Sequence, residues 1–436
     1  MSETLIIEGK TKRIFRMPGK TGLARVESKA DITAGDGAKR DSFPGKDRYA
    51  TATTIAVFRL LNACGIPTAF VESLSPTEFI AHECAMLPYE VVGRRKALGS
   101  YLKRNPHIDR GTEFHAVVIE FYLKTTGRTF KGIEFPKDDP FIAEMNHKGI
   151  VTYRPDMSIT DPGNPSLPVV DTKMYGKNKP MHPFIEMEAL ARKVFLVLEG
   201  AWREQGCSLC DLKIEFGITN AGKLVVADVI DNDSWRLFDA EGQHLDKQRY
   251  RDGAGLDEVA ALYADVAKRT ARFASLEEKP TIILWRESDK EDVRPFTDAV
   301  SSLGIPAMLV SLVRSVHKMP EAALALLREQ LTEHSRCVVI AYVGRSNGAG
   351  PVFAADTHVP VIAVPASVGS FPDDVWSSLR MPSDVPLMTV LEPANAVQAA
   401  LGILAARSPQ CYLARRSIIE HYRLDASCSP TYAMSR

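Results

Sequence analysis

The chain lacks surplus charge, long apolar runs and a paired cysteine framework, and each lack removes a class of function. Lys plus Arg and Asp plus Glu each total 54, so the formal net charge is zero. There is no polybasic block or acidic tail either, so nothing in the charge invites nucleic acid. No apolar run reaches the roughly 18 residues that a membrane span needs. The opening MSETLIIEGK lacks the basic flank and long apolar stretch of a signal peptide. Seven cysteines are scattered over 436 residues. Cys207 and Cys210 have C-x-x-C spacing, but no second pair or histidine cluster accompanies them. They read as reduced core thiols rather than half a zinc site. The expectation is a cytoplasmic protein that meets neither nucleic acid nor membrane.

What is present is ordinary globular composition, 45% hydrophobic and 25% charged, over a length that suits two or three domains. Three zones separate. Residues 1–125 carry strand-like runs (5–8 and 117–123) and a helix near 52–64. Residues 126–183 are poor in periodicity and rich in Pro and Gly, which reads as a long surface insertion or lid. Helices follow at 186–203 and 256–273. After a polar stretch at 275–280 the style changes. Strands at 281–285, 307–313, 337–342 and 361–364 alternate with helices at 293–303 and 321–334, and the end (394–422) is helical. Such alternation implies a parallel, doubly wound α/β sheet, whose ligands sit beyond the carboxyl ends of the strands. No internal repeat is present.

The densest chemistry lies in residues 209–238, LCDLKIEFGITNAGKLVVADVIDNDSWRLF. Asp211, Lys213 and Glu215 alternate with Leu212, Ile214 and Phe216, the period of a half-buried strand. Asn220-Ala221-Gly222 signals a turn, and 224–230 is a second apolar strand interrupted by Asp228. A hairpin closed symmetrically about Ala221-Gly222 sets Glu215 opposite Asp228. Two like charges facing across a strand pair repel. A Mg²⁺ ion between them reverses the sign, because Mg²⁺ takes one or two carboxylates plus phosphate oxygens. A solvated charged face is the bland reading, but acids inside such apolar strands are seldom idle. Glu8-Gly9-Lys10-Thr11-Lys12 pairs a glycine with lysines, a pattern that lets backbone and ammonium groups approach phosphate. By itself it is a surface turn. Met86-Leu87-Pro88-Tyr89-Glu90 resembles segments that frame an adenine ring.

Taken in order, EGKTK, TAGDGA (33–38), MLPYEVVGRRKALGSYLKRNP (86–106), DLKIEFG (211–217) and ADVIDNDSWRLF (227–238) resemble SAICAR synthetase over residues 1–270. GRSNGAGPV (344–352) and DVWSSLRMP (374–382) resemble the class II AIR carboxylase, and the order of the two resembles the fused animal enzyme. The resemblance implies an α+β ligase domain at 1–274 and a flavodoxin-like three-layer α/β carboxylase domain at 280–436. It implies carboxylation of the azole ribonucleotide AIR with CO2 to CAIR, then ATP-dependent condensation of CAIR with aspartate. ATP and Mg²⁺ are the implied cofactors, and a homo-octamer built on the C-terminal domain is the implied assembly. In the ligase it implies that Gly9, Lys10, Lys12, Met86 and Lys124 contact ATP. Glu215 and Asp228 would hold Mg²⁺, with Lys213 neutralising phosphate between them. Arg94, Ser100 and Arg236 would clamp the 5′-phosphate, which suits arginine's fork. Asp36 and Asp233 would lie near the azole and the incoming amine.

In the carboxylase it implies that His317, within Ser315-Val316-His317-Lys318, is the acid/base. Ser288, Asp289, Ser315 and Lys318 would join the loop Gly344, Arg345, Ser346, Asn347 and Gly348 around the substrate. The family's phosphate loop reads Gly-Ser-x-Ser-Asp, whereas here Trp285-Arg286-Glu287 precede Ser288-Asp289. A side chain thus stands where glycine lets phosphate approach, with Arg286 as a replacement charge and Glu287 repelling phosphate. The alternative is a diverged ligase that joins a carboxylate and an amine on a related azole, with an altered second domain.

Overall fold

In the computed structural model the described residues are 4–34, 39–125, 129–130, 133–135, 138–146, 149–167 and 182–426. They form two compact units, Met1–Ser275 with Ile419–Arg436, and Leu276–Ile418. The second unit therefore stops short of the expected 436. The buried Glu420 carboxylate accepts from Arg95 Nη2 at 2.6 Å and from the Val117 N–H at 2.9 Å, which ties the chain end to the first unit.

The first unit runs β1 (Thr4–Glu8), β2 (Lys12–Arg16), β3 (Leu23–Ser28), β4 (Asp31–Ala34), β5 (Lys39–Ser42), α1 (Lys46–Ala63), β6 (Phe70–Ser75), β7 (Glu78–His82), β8 (Cys84–Lys96) and α2 (Ser100–Arg104). It continues with β9 (Glu113–Leu123), β10 (Thr129–Phe130), β11 (Ile133–Glu134), β12 (Phe141–Asn146), β13 (Gly149–Tyr153), α3 (His182–Glu204), β14 (Ser208–Thr219), β15 (Leu224–Ala227), β16 (Trp235–Phe238), α4 (Gln248–Arg251) and α5 (Leu256–Ala271). One antiparallel sheet has the order β1-β2-β3-β7-β6, and a larger one has β13-β12-β9-β8-β14-β15, with β16 also on β14.

Strand alternation divides the larger sheet into two chemically opposite faces. Leu212, Ile214 and Phe216 point one way with Val91, Ile119 and Phe121, all nearly inaccessible, and α3 covers them with Val194, Phe195 and Leu198. Gly93 permits this approach, since a Cβ there would lie 2.9 Å from the Phe195 ring. The opposite face carries Asp211, Lys213 and Glu215 beside Arg94 and Glu90 of β8 and Glu120 and Tyr122 of β9. The segment expected as a surface insertion differs in its described part. Strands β12 and β13 extend this sheet, with Ile142, Ile150 and Thr152 buried. Their apolar residues are too few to outweigh the surrounding Pro and Gly in a periodicity reading.

The second unit runs β17 (Thr281–Arg286), α6 (Arg294–Ser301), β18 (Met308–Val313), α7 (Pro320–Glu333), β19 (Cys337–Val343), α8 (Ala349–Asp356), β20 (Val361–Pro365), α9 (Trp376–Leu379), β21 (Leu387–Thr389), α10 (Pro393–Leu404) and the start of α11 (Pro409–Ala426). Its sheet is wholly parallel, ordered β18-β17-β19-β20-β21, the flavodoxin-like arrangement with helices on both faces. Apolar cores lie on either side, one around Phe296, Val397 and Leu401, the other around Trp285, Leu327 and Phe353.

Candidate active site

The polar face of the large sheet holds two charge clusters. At one end, Arg94 is 3% exposed and donates to Glu120 at 2.6 Å, to Asp211 at 2.9 Å and to Ser100 Oγ at 3.2 Å. Arg236 shares the same Asp211 oxygen, and Arg104 takes the second oxygen of Glu120. Three guanidiniums thus meet two carboxylates, which leaves one positive charge for an anion. Burial alone would push the Glu120 carboxyl up, but Arg94 and Arg104 outweigh it and hold it below its ordinary range. Gly99 precedes α2 with φ 59°, and a Cβ there would sit 2.5 Å from the Arg236 guanidinium. Glycine is what lets this backbone run under the arginine.

At the other end, Lys213 donates to Glu90 at 2.6 Å, and Lys124 reaches both oxygens of Glu215 at 2.7 Å. Burial would lower Lys213, but the Glu90 charge raises it, so it stays cationic. Lys12 pairs with Asp228, and burial brings its ammonium down to about 8. Gly9 closes the β1–β2 turn, its N–H on the Lys12 carbonyl at 2.9 Å, while Lys10 is exposed beside it. Met86 pairs with Gly217 across β8 and β14 and is 46% exposed.

The hairpin register corrects the expectation. Glu215 faces Ala227, not Asp228, because the connection is the three-residue Asn220-Ala221-Gly222, with Gly222 at φ 77°. Asp228 lies just beyond the strand at φ 62°, so its carboxylate leaves the ladder to meet Lys12. The acid that does oppose Glu215 is Glu90, on the neighbouring strand. Lys213 accordingly neutralises Glu90 rather than lying between Glu215 and Asp228. Among the described residues no group of three or more His, Cys, Asp or Glu is arranged for a metal. Glu215 and Asp228 are hard oxygen donors, each already facing a cation.

Asp233 lies in a third cluster. Lys247 donates to it at 2.8 Å, the Tyr263 hydroxyl donates to its other oxygen, and the Asp233 N–H donates to Asp231 at 2.9 Å. Burial pushes Asp231 up, with Asp233 adding to it. Burial acts on Asp233 too, but Lys46 and Lys247 outweigh it and hold it low. Asp36 lies outside the described residues. Motif reading gave no site role to Glu90, Glu120, Asp211, Arg104, Tyr122, Lys46, Lys247 or Tyr263. The signal for the first four was available as charge within apolar strands or a short helix.

In the second unit the expected residues separate. His317 Nδ1 lies 3.0 Å from Glu287 Oε2, and the Ser315 hydroxyl donates to the same oxygen at 3.1 Å. Gly348 packs on the His317 ring, where a Cβ would come within 2.6 Å of Cε1. Asn347 bonds Ser377 and Ser378, the Ser346 N–H donates to Asp374, and Arg345 stacks on Phe371. Gly344 follows β19 at the start of this loop. The Ser288 hydroxyl accepts from the Lys290 N–H at 3.2 Å, Asp289 is 89% exposed in its side chain, and Lys318 is exposed.

The SAICAR synthetase family matches residues 5–134 and 172–270, and the AIR carboxylase family matches 280–423. A probable multifunctional protein ADE2 of Caenorhabditis elegans is 36% identical over 93% of this chain and 90% of its own. A bifunctional phosphoribosylaminoimidazole carboxylase/succinocarboxamide synthetase of Drosophila melanogaster is 36% identical over 92% and 88%. A Roseiflexus phosphoribosylaminoimidazole-succinocarboxamide synthase is 40% identical over 61% of this chain and 95% of its own. A solved SAICAR synthetase in complex with ADP covers 61% of this chain and 96% of its own, at 28% identity and a TM-score of 0.48. The chain belongs to the family that joins a SAICAR synthetase to an AIR carboxylase.

Proposed function

We propose that this protein carboxylates AIR to CAIR in its second unit and condenses CAIR with L-aspartate, at the expense of ATP, in its first. The observation that carries the ligase reading is one sheet face with a lysine-rich end and an arginine-clamp end, spaced along β14 from Glu215 to Asp211. The names of the relatives favour this reaction over the alternative on another azole. Arg94, Ser100 and Arg236 take the ribonucleotide phosphate. Lys12, Lys124 and Lys213 take the phosphates of ATP, with the Gly9 turn and Met86 beside them. Glu215 and Asp228 would hold a Mg²⁺ ion, which would neutralise phosphate charge when bound.

A carboxylate is a poor electrophile. The CAIR carboxylate oxygen therefore takes the γ-phosphoryl group, and ADP leaves. The aspartate amine then attacks the acyl carbon, the C–N bond forms, the C–O bond to phosphate breaks and inorganic phosphate leaves. Asp233, fixed by Lys247 and Tyr263, orients the amine, and the proton that the amine loses passes to solvent. In the second unit His317 moves the ring proton.

Purified protein given CAIR, aspartate and Mg-ATP should release ADP and phosphate and form SAICAR. No turnover with these substrates overturns the ligase reading. AIR with bicarbonate tests the second unit separately. The protein is further proposed to be cytoplasmic and homo-oligomeric through the second unit. Phe371, Trp376, Leu379 and Leu391 are each 44–52% exposed there. Among the described residues no helix is long and apolar enough to cross a membrane.

A further inference from the structure

Glu287 stands at the variable position of the carboxylase family's Gly-Ser-x-Ser-Asp loop, and its carboxylate is not aimed at solvent. Its Oε2 atom lies 3.0 Å from His317 Nδ1 and 3.1 Å from Ser315 Oγ, while Oε1 is buried with no partner among the described residues. The three residues come from two adjacent loops, one after β17 and one after β18, at the carboxyl ends of neighbouring parallel strands. That is where ligands bind in such sheets. Across the ring, Gly348 leaves no room for a side chain against Cε1 and Nε2. His317 itself is 47% exposed in its side chain, so its free edge can reach a ligand.

We infer that Glu287 is a positioning residue that fixes the tautomer and plane of His317. A carboxylate oxygen that already takes the Ser315 proton can only accept from the ring, so Nδ1 carries the hydrogen. In the neutral imidazole the lone pair is then on Nε2, the nitrogen turned away from Glu287. Carboxylates that hold the far nitrogen of a working histidine act in this way in metal sites, where losing them costs about 10–100-fold. Here the same device would direct Nε2 to receive a proton from the ligand and return it. The charge near a phosphate loop, unfavourable for phosphate, gains a role in the acid/base residue. The inference rests on the assignment of His317 as that residue.

The test uses the full chain labelled with ¹⁵N-histidine, with His317→Gln to assign the signal. Long-range ¹H–¹⁵N correlation should find His317 as the Nδ1–H tautomer in the wild type. In Glu287→Ala it should shift to the Nε2–H form, and in Glu287→Gln, whose carbonyl can still accept, it should remain Nδ1–H. For AIR carboxylation, Glu287→Ala should lower kcat about 10–100-fold while KM changes less than about threefold. Glu287→Gln should lie between alanine and wild type. An Nε2–H ring in the wild type, or a ring and a kcat that ignore Glu287→Ala, overturns the inference. If the wild type does not carboxylate AIR, the proposed activity of the second unit fails, and the tautomer measurement still decides the positioning role.

Discussion

At the residue scale, the active-site face works because buried charges cancel locally and leave a small surplus. Gly99 is the most exacting single position. Its φ of 59° and the 2.5 Å gap to the Arg236 guanidinium both exclude a side chain. Gly99→Ala should displace Arg236 and raise KM for CAIR at least about tenfold, while KM for ATP stays within about twofold; steady-state kinetics in both substrates checks this. Glu120 supplies a pH signature. Its carboxyl is held below its ordinary 4.5, so its stabilising contribution is complete above that value and is lost as pH falls through the lower folded value. The stability gap between wild type and Glu120→Gln should therefore be widest above about pH 5 and narrow on acidification. Urea unfolding at several pH values measures it. A gap that widens as pH falls would contradict the ion-pair account.

At the element scale, β14 organises the ligase. One strand supplies Asp211 to the arginine cluster, Lys213 and Glu215 to the lysine cluster, and Leu212, Ile214 and Phe216 to the core under α3. A slip of one residue would exchange these faces, so the buried face pins the register. Gly217 sits where β8 and β14 shift register near Pro88, and a Cβ there would meet the Cys84 Cβ at 2.7 Å. Gly217→Ala should separate the strands, cost about 1–3 kcal/mol, and raise KM for ATP through Met86 and Glu215. Denaturant melts combined with kinetics test this. Alternation made the composition of this strand legible in sequence. The partner of Glu215 was not legible, because a three-residue turn and a two-residue turn look alike in Asn-Ala-Gly. One extra loop residue moved Asp228 out of the pair and left Glu90 as the facing acid.

At the scale of the whole molecule, the first unit is closed by residues from the far end of the chain. Glu420 is 1% exposed and satisfies Arg95 and the Val117 N–H. Arg95 keeps Glu199 as a second partner, at 2.6 Å. Glu420→Ala should still destabilise the first unit by about 1–3 kcal/mol, since Arg95 keeps Glu199 but the Val117 N–H loses this acceptor. Chain truncation before Ile419 should do the same, and urea unfolding of the ligase activity reads either change. This return was not legible in the sequence, because nothing local in the last helix marks a glutamate for a distant arginine.

By itself the sequence determined which chemistry is present. Motif order identified the two families, strand alternation marked the acids of β14 as members of a structured face, and βα alternation gave the parallel sheet. Those signals are local and periodic, so they survive without coordinates. Only the tertiary structure decided which charges meet. Glu215 opposes Glu90, Asp211 joins Arg94 to Arg236, Glu287 holds His317, and Glu420 closes the first unit. Each of these pairings depends on register or on loop length over sequence separations that no local pattern encodes.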